Sequence, residues 1–378
     1  MVLGVGLSPS QGMRRGQMVD VEAAVRAIDA ALRRAEQQSG FKAVRAYVGL
    51  CDSSVRSIAS RATIPVRGTT GMITVADVDA ALRAAGDLDL PPGHEVIHIL
   101  RQTFVIDGVP GIKDPVGMAG RRLEAETCVI TAASATMHEL IRGVRSLKLE
   151  LDALVLEPLA AGHAVLSLEE RGRGVLVIDV GGGTTGTGIF RNGGLIHACT
   201  LPVGGEQITS DLSYGLKTGF GGAEELKRLH GSTLDEARDE VVPVSVIGQA
   251  NETWVNHRAV AEIVDARLAE IFELVGDKIV RDGYGDCYPG GVVITGGTAE
   301  LPGAVALAAE SFGVRARLGT PSRLGGLSDA LRGPSFATSV GLLAWGRQRL
   351  VEAAAPVPSR SRRTWRSGLV GWIRGFWV

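Results

Sequence analysis

Asp179 closes a run of four apolar residues, 175–178, and is followed by Gly181, Gly182, Gly183, Thr184 and Thr185. An apolar run of that length fits a fully buried strand, so the carboxylate stands at a strand end. Three successive glycines let the backbone turn tightly and approach a phosphate with N–H groups aimed inward. Residues 187–190 then read as a second strand, and Arg191-Asn192-Gly193-Gly194 as a hairpin turn into a third at 195–201. The glycine turn therefore joins two strands, unlike the dinucleotide and Walker loops that open a helix. Taken alone, the stretch also fits a plain glycine-rich hairpin without a ligand.

A second stretch of this kind, Val292-Val293-Ile294-Thr295-Gly296-Gly297-Thr298, lies further along. By itself its Gly296-Gly297 fits a simple strand-to-helix turn equally well. Between the two, Gly204-Gly205 precede a helix carrying Ile208, Leu212 and Leu216, and 222–230 reads as a further helix. On that helix Glu224 and Lys227 are three residues apart and share a face, which also fits a surface ion pair.

The elements that must position these residues follow from periodicity and caps. Residues 2–7 read as a short strand and 8–16 as a polar loop. Asp20 is placed to cap a helix through Gln38. Strands are expected at 44–50 and 58–66, and Thr74 with Asp77 makes a capping-box start for a helix ending near Gly86. Residues 94–100, 104–107 and 123–131 are strand-like, so 65–134 reads as an α+β insertion. Helices are expected at 137–146 and 153–165, the second mostly apolar. After 233–251, irregular and partly extended, an amphipathic helix runs over 257–282 with Val260, Ile263, Val264, Leu268, Ile271 and Val275 as its buried stripe. A helix at 302–312 and a small-residue helix at 336–343 complete the body. Strands alternating with helices argue for an α/β class with a largely buried sheet.

Composition narrows the function classes. With 45% hydrophobic and 21% charged residues the 378-residue chain is globular, and its net charge of −1 gives no reason to expect nucleic acid. Cys51, Cys128, Cys199 and Cys287 are widely spaced without a CxxC pair, and read as core thiols of a reducing compartment rather than metal ligands or disulfides. No apolar run approaches 18 residues.

The last stretch is different in kind. Beyond Pro356-Val357-Pro358 come Arg360, Arg362, Arg363, Arg366 and Arg374 without one acidic residue, a charge of +5 that leaves −6 on the rest. Three of the five tryptophans fall here. On a helix Trp365, Leu369, Trp372, Ile373 and Phe376 share a face, with Trp377 beside the last of them. Basic and Trp-rich, the segment has the profile of a helix lying in the interface of an anionic membrane. Gly368, Gly371 and Gly375 each cost about 1 kcal/mol against Ala, so in water the helix should be largely unfolded. A C-terminal helix docked on the body is the alternative.

Two glycine-rich strand ends separated by a helical stretch resemble the actin–Hsp70–sugar-kinase superfamily, in which ATP sits between two halves. GIKDPVGMAGRRLEAE at 111–126, LPVGGEQITSDLSYGL at 201–216, GGAEELKRLHG at 221–231 and FATSVGLLAWG at 336–346 further resemble bacterial FtsA. That family is actin-like and tethers the division ring to the membrane. The resemblance implies a two-lobed fold with the family's insertion subdomain at 65–134. It divides the chain into a first-lobe core at 1–64, first lobe and crossover helix at 135–175, and a second lobe at 176–352. That lobe would include a helical subdomain at about 222–286, with a linker at 353–363 and a membrane-targeting helix at 364–378 to follow.

Carried over by position, Asp179 would hold Mg2+ through water and Gly181–Thr185 would wrap the β- and γ-phosphates of ATP. Gly204 and Gly205 would lie near ribose and phosphates, Glu224 and Lys227 would face ribose and adenine, and Gly296, Gly297 and Thr298 would close the adenosine side. The resemblance also implies FtsZ as a partner for 233–286, self-assembly into filaments through the insertion, and contacts with other division-ring proteins. The expected location is the cytoplasmic face of the membrane at the septum.

Two departures stand out. Met1 begins where the family's third strand would stand, so an N-terminal hairpin with another phosphate loop is missing. A start assigned too far downstream explains this better than a shortened protein. Second, Gly186 stands where the family usually has an Asp. Both point to weak or absent hydrolysis. The competing readings are a sugar- or acid-kinase-like phosphotransferase, which lacks a catalytic carboxylate beyond Asp179, and the actin-like pilus-assembly protein, which lacks such a tail.

Overall fold

Residues 2–7 do not form the expected strand. In the computed structural model, which describes residues 1–68, 71–234, 240–248, 253–322, 325–326 and 329–354, Val2 alone makes a bridge, to Gly326. The physical reason lies in Gly4 and Gly6, which press onto the following helix. A Cβ on Gly4 would stand 2.2 Å from the Ala35 carbonyl oxygen, and one on Gly6 1.7 Å from that of Ala31. The segment is held by helix packing, not by a ladder.

The next residues, expected as a loop, form a small hairpin of β1 (Met13–Arg14) and β2 (Gln17–Met18). Helix α1 (Val21–Ser39) starts where Asp20 accepts from the Ala23 N–H and stops at Gly40, whose φ of 74° suits glycine. Strand β3 (Arg45–Leu50) follows.

The insertion is built from β4 (Arg56–Pro65), α2 (Val75–Gly86), β5 (His94–Ile106), β6 (Val109–Ile112) and β7 (Arg122–Ala133). Its antiparallel sheet has the order β4-β7-β5-β6. Thr74 and Asp77 close the expected capping box on α2. Ile73, Val78, Ala81 and Leu82 bury a local core with Phe104, Ile106, Leu123 and Ala125. Burial of each large side chain is worth about 1.5–3 kcal/mol. The two strands expected at 94–107 are one, β5, whose register shifts near His98 and Thr103 break its alternation.

The chain returns through α3 (Ser134–Ser146), β8 (Glu150–Leu156) and α4 (Glu157–Val165). Here the expectation of one helix over 153–165 is wrong. Leu154, Val155 and Leu156 are buried in a strand parallel to β3, and the helix begins only at Glu157-Pro158. A short apolar run has no periodicity that separates buried strand from buried helix.

After the short α5 (Leu168–Arg173), β9 (Val175–Val180), β10 (Thr185–Arg191) and β11 (Gly194–Leu201) form an antiparallel meander. Asn192 and Gly193 have φ of 57° and 95°, as a two-residue I′ hairpin turn requires. Next come α6 (Gly205–Gly215), α7 (Phe220–His230), β12 (Val241–Val244), β13 (Thr253–Asn256) and α8 (His257–Arg281). Of the stripe expected on α8, five residues are fully buried and Ile263 is partly so. Then follow β14 (Val292–Thr295), α9 (Ala304–Phe312), β15 (Ala316–Leu318) and α10 (Ala337–Ala354), longer than the 336–343 expected.

The second-lobe sheet runs β11-β10-β9-β14-β15, with β14 parallel to β9 and β15. Its centre is buried on both faces. Val175 and Val177 belong to a core with residues of α4 and α10, while Leu176 and Ile178 belong to one with α6, α8 and α9. No helix among the described residues is long and apolar enough to cross a membrane. The tail residues singled out above, Arg360 to Trp377, lie outside the described residues.

Candidate phosphate-binding site

Strand β9 delivers Asp179 to the point where α10 also arrives. Thr338 at the start of α10 donates to Asp179 Oδ2 at 2.7 Å, and Thr295 of β14 stands beside Asp179 in parallel register. Burial raises the Asp179 carboxyl above its usual range, against the pull of the Thr338 hydrogen bond.

The glycine turn beyond it is held from behind. Gly181 N–H closes the turn on the Thr184 carbonyl at 2.9 Å. The Gly181 carbonyl accepts from Gly205 N–H at 2.9 Å and from Thr298 Oγ1 at 3.0 Å, and the Gly182 carbonyl from Glu206 N–H at 2.7 Å. The first N–H groups of α6 are therefore spent on fixing the turn. Among the described residues the N–H groups of Gly182, Gly183 and Thr184 have no hydrogen-bond partner. A Cβ on Gly182 would meet nothing nearer than Glu206 at 3.9 Å. Three successive N–H groups without such a partner, with open space at Gly182, are a setting that suits an anion.

Close approach explains the other glycines. A Cβ on Gly204 would lie 2.6–2.7 Å from the Gly181 and Gly182 oxygens, and one on Gly205 2.5 Å from Thr298 Oγ1. Gly296 has φ of 87°, and its Cβ would stand 2.5 Å from Asp179 Oδ1. The structure thus brings Asp179, the 181–185 turn, Gly204, Gly205, Gly296 and Thr298 to one place, with Gly297 exposed at its rim.

Glu224 and Lys227 stand next to this cluster but bind each other, Nζ to Oε2 at 2.6 Å. Lys227 also donates to the Gly205 carbonyl at 3.0 Å and to Thr209 at 2.8 Å. The pair ties α7 to the start of α6.

Three features escaped the sequence reading. The β1–β2 turn lies on the glycine loop: a Cβ on Gly183 would be 3.2 Å from Arg15 N, and one on Gly16 3.3 Å from Thr184 Cγ2. Gly186 has no room for a carboxylate, since its Cβ would meet Pro158 Cγ at 2.7 Å and Cys51 Sγ at 3.1 Å. Most important is Glu157, a second buried carboxyl on which the Asp179 charge acts. Burial first, and the Asp179 charge second, push its pKa up to about 7. Had Leu154–Leu156 been read as a strand, Glu157 would have stood at its carboxyl end, where α/β sheets bind ligands. Two buried carboxyl groups, one of which feels the charge of the other, form a setting that a divalent cation would relieve.

A sheet of this topology, crossed by α4 and α10 and bearing glycine turns at the ends of β9 and β14, defines an actin-like protein. A solved PilM–PilN type IV pilus biogenesis complex shares the fold, with a TM-score of 0.62 at 16% identity, covering 90% of this chain and 89% of that one. Two family models match, "Cell division protein FtsA" over 176–341 and "SHS2 domain inserted in FTSA" over 52–131. The chain is 37% identical over 350 residues to the cell division protein FtsA of Pseudomonas aeruginosa, covering 92% of this chain and 84% of that one. It is 36% identical over 344 residues to that of Bacillus subtilis, covering 90% and 77%. The chain belongs to the FtsA family of actin-like cell-division proteins.

Proposed function

We propose that this chain binds Mg-ATP in the Asp179 cleft, polymerises, and ties the FtsZ ring to the cytoplasmic membrane at the division site. The observation that carries the nucleotide reading is the trio of N–H groups at Gly182, Gly183 and Thr184, without a hydrogen-bond partner among the described residues, with open space at Gly182. Asp179 would hold Mg2+ through water, the 181–185 turn the β- and γ-phosphates, and Gly204, Gly205, Gly296, Gly297 and Thr298 the ribose and adenosine sides. Bound there, the cation would neutralise phosphate charge. Glu224 and Lys227 would face ribose and adenine from the far side.

Glu157, with a pKa near neutrality, is suited to accept a proton from water, while Gly186 leaves one carboxylate fewer, so hydrolysis is slow. Nucleotide acts mainly as a conformational ligand that favours one arrangement of the two lobes and one polymer contact. The insertion, from β4 through β7, joins neighbours in the filament, 233–286 meets FtsZ, and later division-ring proteins join the assembly. The basic tail at 360–378 holds the filament on anionic lipid by many weak contacts.

Calorimetric titration with Mg-ATP tests the cleft, using Asp179→Ala and Gly182→Val. A side chain at 182 enters open space, so it blocks the phosphate without disturbing the fold. Saturable binding that both variants lose, with unchanged circular dichroism, is expected. Equal binding by wild type and Asp179→Ala, or none by folded wild type, overturns the assignment.

A further inference from the structure

Away from Asp179, at one edge of the second-lobe sheet, β11 carries His197 and Cys199 two residues apart. Side chains so spaced leave one face of a strand. Both are almost fully buried, at 4% and 3% exposure. Asp282 stands against them at the end of α8, its Oδ2 3.2 Å from His197 Nε2. One donor atom from each of the three residues lies within 4.8 Å of the other two. His197 Nε2 is buried and makes no hydrogen bond, because Asp282 lies off the direction in which a ring N–H would donate.

The rest of the imidazole is fixed. Its Nδ1 is 2.7 Å from Ser57 Oγ, which is itself held by the Ala198 N–H at 3.1 Å. The Tyr284 ring stacks on it at 4.3 Å. A partner on one ring nitrogen and convergent donors on the other are the marks of a metal-ligating histidine.

We propose that His197, Cys199 and Asp282 form a Zn2+ site, with the fourth position taken by water. One imidazole, one thiolate and one carboxylate make a borderline donor set that suits Zn2+ better than Mg2+ or Ca2+. Bond lengths of about 2.0–2.3 Å in tetrahedral zinc place ligand atoms about 3.2–3.8 Å apart. The His197–Asp282 pair is already at 3.2 Å, and Cys199, within 4.8 Å of both, closes in on binding. On binding, the Cys199 thiol gives its proton to solvent and the sulfur lone pair forms the Zn–S bond. The competing cation is Lys278, whose ammonium contacts both Asp282 oxygens at 2.6 and 2.7 Å, and which must yield one of them. Arg56 adds a second positive charge near Cys199. The ligands join β11 to the C-terminus of α8, and Ser57 brings in β4. The metal would thus clip the insertion, the sheet edge and the long helix together.

The test uses the full chain, stripped of metal and free of nucleotide, titrated with Co2+ and then Zn2+. One equivalent of Co2+ should give a thiolate-to-cobalt charge-transfer band and the ligand-field bands of a tetrahedral site, both abolished by one equivalent of Zn2+. Cys199→Ser should lose the charge-transfer band, Ser57→Ala should weaken Zn2+ binding about 10- to 100-fold, and Zn2+ should raise the Tm of wild type but not of Cys199→Ser. Lys278→Gln removes the competitor and should tighten Zn2+ binding several-fold, a gain that a misfolded variant cannot imitate. The control is Cys287→Ser, which should leave the spectrum unchanged. Binding below one equivalent, a charge-transfer band that persists in Cys199→Ser or vanishes in Cys287→Ser, or no tightening in Lys278→Gln overturns the site.

Discussion

Glu157 makes stability depend on pH in a direction set by its raised pKa. In the unfolded chain its carboxyl titrates near the usual 4.5, in the folded protein at about 7. The folded state therefore holds the proton over that interval, and stability present below it is lost as pH rises through about 7. Glu157→Gln keeps a neutral group at every pH. Thermal denaturation without nucleotide, at about pH 5 and about pH 8, should show the variant gaining Tm relative to wild type at the higher pH. A difference between the two proteins that does not change with pH would argue against the raised pKa. The same carboxyl shows what was illegible at this scale. Nothing in the sequence says that the charge of Asp179 acts on Glu157, 22 positions before it and just past a strand of a different sheet. Gly186 is likewise an absent carboxylate in sequence, and a close contact with Pro158 and Cys51 in space.

Elements were most legible where a local bond decides them. Asp20 capping α1, Thr74 with Asp77 capping α2, and the Asn192-Gly193 turn were all expected and all found, since each depends on residues within one turn of chain. The segments at 2–7 and 153–165 were misread because their state is chosen by neighbours far along the chain. The crossing of α4 and α10 is a close contact of this kind. A Cβ on Gly341 would stand 1.8 Å from the Ala160 carbonyl oxygen, against backbone that cannot yield. Gly341→Ala should therefore push the helices apart at a cost of about 1–3 kcal/mol, read as a lowered urea midpoint. An unchanged midpoint would mean that the helices do not cross this closely. On the same helix as Gly341, Trp345 is buried against Tyr47 of β3 and His98 of β5.

At the scale of the whole molecule, the charge is divided between a body of −6 and a tail of +5. In the proposed function, the hold on anionic lipid falls to the tail. Flotation with anionic vesicles should carry the full chain upward and leave behind a chain lacking 360–378. Raising the salt should weaken the binding as exposed charges are screened. Flotation that survives the deletion would place the lipid contact on the body.

Membership of a family, the caps and turns, and the residues of the glycine turns were determined by the sequence itself, because each is written in types and spacings a few residues long. The tertiary structure alone decided that Glu157 is buried where the Asp179 charge acts on it, that Lys227 ties α7 to α6, and that His197, Cys199 and Asp282 converge. Those depend on which faces of separate elements meet, and burial of apolar surface, blind to sequence distance, chooses them.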